Sequence, residues 1–286
     1  METIDYTHKP ESYLYRITDI KYVIDSFLNQ HLIFVKIGKW PDKQEILTDY
    51  VIDGKIGVLN PQFRNSIYGI CWTADPSESA AMWQLYSRDY RGVRIKVKES
   101  ILKELMLKKQ IEILKENRLS TNYVASSDNH WNNDAIKMHQ WICSEMSTLN
   151  KSACYADDYE TSELNNIPYG IRAVEYVPLD KLKKKACSNS IIEDCIFRNS
   201  NFFAKNEAYA FEKETRTILY KDNSEHEDLL KMQITPCDLY EEIVFDSRMT
   251  NCEFELYKEY LTNTLKYPVD KIKKSNVFDT PTYMYM

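Results

Sequence analysis

Short apolar runs alternate along this chain with stretches whose apolar residues recur at helical spacing. Residues 13–18, YLYRIT, are the first such run and predict a strand. Asp19 then stands where an N-cap would. Ile20, Val23, Ile24, Phe27 and Leu28 fall on one helix face, so residues 20–30 are expected to form an amphipathic helix. HLIFVKI (31–37) predicts a second strand. Residues 38–66 are polar, with Trp40-Pro41, Asp53-Gly54 and Asn60-Pro61 as turn signals, and are expected to be loop.

A strand–helix–strand unit follows over about 33 residues. SIYGICWT (66–73) predicts the first strand. DPSES is expected to start the helix, with Pro76 in its first turn and Glu78 at the positive end of its dipole, and the helix to run through SAAMWQLYSRDY. Gly92 ends the turn before VRIKVK (93–98), the second strand. Residues 98–116 predict a helix with a mixed charged face. Residues 117–165 are polar and read as an insertion or flap with a helix around AIKMHQWICSEM. IRAVEYVPL (171–179) and ETRTILY (214–220) predict strands, and residues 187–204 are expected to be helical in part. The pattern closes with a strand at 241–246, a helix at 251–266 and a strand at 270–277. The sum is one α+β domain over residues 1–286 with a mixed, mostly antiparallel sheet.

Composition narrows the chemistry. With 43% hydrophobic residues and 13% aromatics the chain can bury a core, and a net charge of −6 argues against gripping nucleic acid by overall charge. Seven cysteines with no C-x-x-C spacing predict reduced thiols in a cytoplasm. The start, METIDYTHKP, has no signal-peptide pattern, and no apolar run nears the roughly 20 residues that span a bilayer, so no membrane role is expected. The five histidines (8, 31, 130, 139, 226) are scattered without metal-ligand spacing, so no metal is expected. Six glycines, with no G-x-G-x-x-G and no Walker lysine, argue against a Rossmann or P-loop nucleotide site.

What remains is polar residues set in or beside apolar strands. Arg16 interrupts the first strand; its plain reading is an arginine paired to a structural carboxylate. Trp72 and Thr73 end the strand at 66–73, and packing is their plain reading. Trp83 and Tyr86 lie three apart and share a helix face, which usually means core. Glu212 and Glu214 stand two apart at the start of ETRTILY. Read as strand, they point the same way, and two carboxylates on one face repel and resist burial. Their plain reading is a solvent-facing edge with Lys213 and Arg216 nearby.

Three blocks resemble a widespread bacterial family known only as a domain of unknown function. They are Leu14-Tyr15-Arg16-Ile17; Ala81-Met82-Trp83-Gln84-Leu85-Tyr86 with Gly92-Val93-Arg94-Ile95; and the run from Lys205 to Arg216, KNEAYAFEKETR. They span residues 13–220. One departure stands out: the family's Asn-Asp-Pro-Phe-type stretch is represented only by Trp40-Pro41-Asp42. The order of blocks is also similar to the ADP-ribosyltransferase fold, in which a strand with Arg or His, a strand with Ser or Thr, and a strand opening on Glu-x-Glu surround NAD.

That resemblance implies a split sheet with flanking helices and NAD as substrate. Glu214 would stabilise the oxocarbenium-like cation formed as nicotinamide leaves, and Glu212 would act as base or orient the acceptor. One of the two buried carboxylates is expected to have a raised pKa. Arg16, with Tyr15, would hold the adenosine ribose or diphosphate. Trp72 and Thr73 would shape the nicotinamide pocket, and Tyr86, beside Trp83, would stack on the ring. The acceptor would be RNA, DNA or protein, with the Lys-rich 181–186 as a candidate phosphate contact. The role would be that of a toxin or phage-defence effector, with an antitoxin protein as inhibitory partner. Three other readings stay open: an NAD glycohydrolase, a binding module of the same fold without activity, and a Mg²⁺-dependent nuclease using Asp157 or Asp158 as third carboxylate.

Overall fold

A computed structural model describes residues 11–40, 49–52, 55–58, 66–121, 169–178, 180–181, 202–221 and 227–279. β1 (Tyr13–Asp19) runs straight into α1 (Ile20–Asn29), where the Asp19 carboxylate accepts from the Lys21 N–H as the pattern predicts. β2 (His31–Lys36) and a 3₁₀ turn (Ile37–Lys39) follow. The stretch expected to be loop contains a hairpin, β3 (Asp49–Ile52) and β4 (Lys55–Val58). Its two-residue connection, Asp53-Gly54, is a hairpin signal as well as a turn signal.

β5 (Ile67–Thr73) leads to α2 (Ala80–Tyr86), which is shorter than expected. The Ser79 side chain caps it by accepting from the Met82 N–H, so Pro76 and Glu78 stay in the loop ahead of the helix rather than in its first turn. Asp75 holds that loop by accepting from the Ser77 N–H at 2.9 Å. β6 (Gly92–Lys98) follows the predicted pattern, whereas α3 (Glu99–Thr121) runs five residues past the predicted end at 116, into the stretch expected to be an insertion. The run at 171–179 is two strands, not one. β7 (Gly170–Ala173) pairs with β10 (Glu214–Tyr220), whereas β8 (Glu175–Val177) pairs with β9 (Ala204–Asn206) in a separate ribbon. The switch falls at Val174, whose N–H bonds the Glu214 carbonyl at 2.8 Å. β11 (Leu229–Gln233) lies in a stretch for which the pattern predicts no strand. α4 (Pro236–Leu239), β12 (Tyr240–Phe245), α5 (Asn251–Glu259) and β13 (Ile272–Lys274) complete the chain. The helix expected around 135–146, the rest of the 117–165 segment beyond Thr121, and residues 182–186 and 187–201 lie outside the described residues, while 202–204, the end of the stretch expected to be helical in part, are a turn at 202–203 and the first residue of β9.

β5 decides the architecture. One of its edges pairs with β10 along its whole length, from Ile67↔Tyr220 to Thr73↔Glu214. The other edge is shared: β2 takes its start, at Tyr68 and Gly69, and β1 touches its end through the single pair Tyr15↔Thr73. The sheet therefore forks. One branch continues through β2 to β11, the other through β1, β6, β12 and β13. Every pairing in it is antiparallel except β12 with β13, which α5 connects. The fold is mixed α and β with a mostly antiparallel sheet.

The main core gathers one face of this sheet, with Leu14, Phe34, Trp72, Ile95, Leu219 and Ile243, under Val23 of α1 and Leu102, Met106 and Ile113 of α3. Each such side chain, fully buried, is worth roughly 1.5–3 kcal/mol. Ile37, Ile67, Phe202, Phe203 and Ile218 form a smaller core on the opposite side, with Trp40 packed against it. Gln110 of α3 clamps the end of β10 by exchanging two hydrogen bonds with the Tyr220 backbone, at 2.7 and 2.9 Å. Among the described residues no helix is long and apolar enough to cross a membrane. Among the described residues, Cys71, Cys237 and Cys252 form no disulfide.

Candidate active site

The fork leaves a cavity of about 760 Å³, within the range of small-molecule sites. β1 contributes Tyr15 and Arg16, β5 contributes Gly69 to Thr73, and Tyr86 comes from α2. The third wall is Lys205 and the segment that runs into β10. Glu212 and Glu214 both line it.

The two glutamates reach the cavity in a way the sequence does not suggest. A 3₁₀ helix, Glu207–Glu212, starts under an Asn206 cap and ends on Glu212. Lys213 then takes a left-handed conformation, φ 45°, and Glu214 opens β10. The pair therefore does not share one strand face. That strained residue, costing about 1 kcal/mol, is held from β5. The Thr73 hydroxyl donates to the Lys213 carbonyl at 3.0 Å, and Lys213 Nζ bonds Asp75 at 2.6 Å. Lys213 and the Ser77 hydrogen bonds pull the Asp75 carboxyl down to about 2.

Neither glutamate is on a solvent-facing edge: Glu212 is 7% and Glu214 4% exposed. Cations make that burial tolerable. Lys205 Nζ lies 2.6 Å from Glu212 Oε2 and 3.0 Å from Glu214 Oε2. The Arg216 Nε–H donates to Glu214 Oε1 at 2.6 Å, while another of its N–H groups bonds the Phe202 carbonyl at 2.8 Å. The Tyr86 hydroxyl donates to Glu212 Oε1 at 3.3 Å, and Tyr176 accepts from the Glu214 N–H at 2.7 Å. Burial pushes the Glu214 pKa up. Arg216, Lys205 and a hydrogen bond from Cys71 outweigh it and hold the carboxyl below its ordinary value. For Glu214 this is the reverse of a pKa raised by burial.

Arg16 is the opposite case. Among the described residues it has no hydrogen-bond or ion-pair partner; the groups that bear on its charge are Cys71 and the tyrosines 240, 86 and 22, none of them a carboxylate. Burial lowers its pKa from the ordinary value. Among those residues, its plain reading as a paired structural arginine does not hold. Tyr15 stacks under the neighbouring Arg94 guanidinium, 4.0 Å from ring centroid to carbon. Trp72 borders the cavity, but its indole lies in the main core and donates to the Thr217 hydroxyl at 3.1 Å.

No family model, curated protein or solved structure matches this chain. Its chemistry rests on the site itself. Seven of the eight residues singled out in the sequence border this cavity: Tyr15, Arg16, Trp72, Thr73, Tyr86, Glu212 and Glu214. Trp83 does not. It is fully buried, and its indole N–H donates to Glu78 at 2.9 Å, which anchors α2 instead. Lys205 and Arg216 are site groups that the sequence reading misses. Both stand at the ends of the block KNEAYAFEKETR, where two cations bracketing three acids, Glu207, Glu212 and Glu214, are the available signal. Trp40 carries no such signal. It reaches the cavity because Gly69 has no side chain: a Cβ there would lie 2.8 Å from Trp40 Cζ2. Asp157 and Asp158 lie outside the described residues. Among those described, no three His, Cys, Asp or Glu residues gather as metal ligands.

Proposed function

We propose that the protein is an NAD-dependent ADP-ribosyltransferase with its active site at the fork of the sheet. One observation carries the reading. A buried carboxylate, Glu214, is held ionised at a cavity that is also lined by an arginine, Arg16, with no partner of its own among the described residues. The first group suits a developing sugar cation and the second suits a diphosphate. The layout of an arginine strand, a Trp-Thr strand and a Glu strand around β5 accords with an ADP-ribosyltransferase-like fold.

In this reading NAD lies along the cavity with its diphosphate on Arg16 and its nicotinamide ribose at Glu214. The bond between the ribose C1′ and the nicotinamide nitrogen breaks, and nicotinamide leaves with the electron pair. Glu214 stabilises the positive charge left on the ribose. A nucleophile of the acceptor bonds to C1′, and its proton passes to Glu212 or to water. The Tyr86 hydroxyl orients Glu212. Tyr86 is half-exposed at the cavity, so its ring remains open to a stacked partner.

The test is nicotinamide release from NAD by the purified protein in EDTA, alone and with RNA, DNA or cell extract, with Glu214→Gln as control. Glu214-dependent release is expected, and the additive that speeds it identifies the acceptor. Release as fast with water alone as with any additive would make the protein a glycohydrolase. No release under any condition would sink the reading in favour of a binding module or a metal-dependent nuclease.

A further inference from the structure

Two carboxylates facing one cavity form a natural receptor for a cation, because an ammonium or guanidinium can bond both at once. Here that place is filled from within the chain. Lys205 is 6% exposed, and its ammonium lies between Glu212 Oε2 and Glu214 Oε2 at 2.6 and 3.0 Å. Its position is built, not incidental. Lys205 is the middle residue of β9, paired in register with Tyr176 of β8, and that tyrosine's hydroxyl accepts from the Glu214 backbone. The Tyr209 ring covers the ammonium at 4.7 Å.

We propose that Lys205 is the resident cation of this site: it occupies the position a cationic acceptor would need, so the group that receives ADP-ribose is an uncharged nucleophile, a hydroxyl or a ring nitrogen. The inference rests on the ADP-ribosyltransferase reading for the word acceptor, but not for the cation exclusion itself. Its basis is electrostatic. Lys205 and Arg216 cancel Glu212 and Glu214, and Arg16 then adds a positive charge at the same cavity. A guanidinium entering this cluster would meet three cations and find both carboxylates engaged. To bind, it would have to displace an ammonium already desolvated with its partners, and such a pair is costly to break. An uncharged hydroxyl or ring nitrogen needs no such exchange and can approach Glu212 as a hydrogen-bond donor.

Agmatine, a small guanidinium compound, is the probe. Calorimetry with the full chain should detect no agmatine binding to the wild type. Lys205→Met should create a site at least about tenfold tighter, since two carboxylates then share one remaining cation. Lys205→Arg should restore the exclusion, which a merely structural role for the lysine would not predict. Should Lys205→Met fail to fold, Lys205→Gln, which removes the charge but keeps a polar side chain, should bind agmatine in its place, and a folded neutral variant that binds none would overturn the proposal. Agmatine binding to the wild type, or agmatine modified by wild-type protein and NAD, would overturn the proposal while leaving the transferase reading intact. Absence of any nicotinamide release would remove that reading, and agmatine binding would still decide whether Lys205 excludes cations.

Discussion

Arg16 and Arg216 are both arginines on strands that adjoin β5, yet the fold treats them in opposite ways. Arg216 is fully buried, with its guanidinium spread over the Glu214 carboxylate, the Phe202 carbonyl and the face of Trp40, 5.0 Å away. Arg16 lines the cavity and has no partner among the described residues. A charge that stabilises a fold is satisfied by the fold, and one kept for a ligand is left unsatisfied. Burial without a counter-charge among the described residues lowers the Arg16 pKa, a cost that the proposed diphosphate contact would offset.

Removing each guanidinium in turn puts the contrast between the two arginines to its most severe test. Arg216→Met strips Glu214 of its main counter-charge and should cost about 3–5 kcal/mol, the scale for breaking a buried ion pair. Urea unfolding measures it. Arg16→Met should leave the unfolding midpoint nearly unchanged, and an equal loss in both variants would erase the distinction.

Glu214→Gln keeps the shape of the site and removes its charge. Turnover should fall about 10²- to 10³-fold, as when one preorganised electrostatic contact is lost. The pH dependence follows from the same group. Its folded pKa lies below the ordinary 4.5, so its contribution to stability is complete above that value and is lost as pH falls through the folded one. Glu214-dependent activity should therefore persist at and somewhat below pH 4.5 as long as the chain stays folded, so an acid limb centred well above pH 4.5 would assign the titration to another group.

Arg16→Ala should raise KM for NAD by roughly tenfold to a hundredfold, the worth of one or two hydrogen bonds to a charged group, with little change in kcat. An unchanged KM would separate Arg16 from the diphosphate. The smallest effect is expected at Gly69. Gly69→Ala pushes a Cβ towards Trp40, which packs over Arg216, and should cost about 1 kcal/mol. Coupling with Arg216→Met in a double-mutant cycle would place Trp40 in the same cluster.

Much of this site is legible in the amino-acid sequence. Periodicity marks β1, α1, β2, β5, β6 and β10 nearly to their ends, because each carries its own apolar run or capping residue. It also draws attention to the polar residues that interrupt those runs. Other features are invisible for identifiable reasons. Trp83 and Tyr86 look equivalent three residues apart on α2, but Glu78 holds the first indole inside the core while the second ring meets the cavity. The break at Val174 depends on a hydrogen bond to the Glu214 carbonyl, 40 residues along the chain, which no local pattern encodes.

Local spacing, capping and composition act over a few residues. They were enough to specify β1, α1, β2, β5, β6 and β10 and the mostly antiparallel mixture of strands and helices, but not β3, β4, β11 or the break between β7 and β8. Long-range packing alone makes β5 fork the sheet and brings Glu212 and Glu214 together through Lys205 rather than along a strand. It also pairs Arg216 while leaving Arg16 without a partner among the described residues. Which charges are desolvated together depends on how distant segments pack, and burial, more than residue type, sets what a charge is worth.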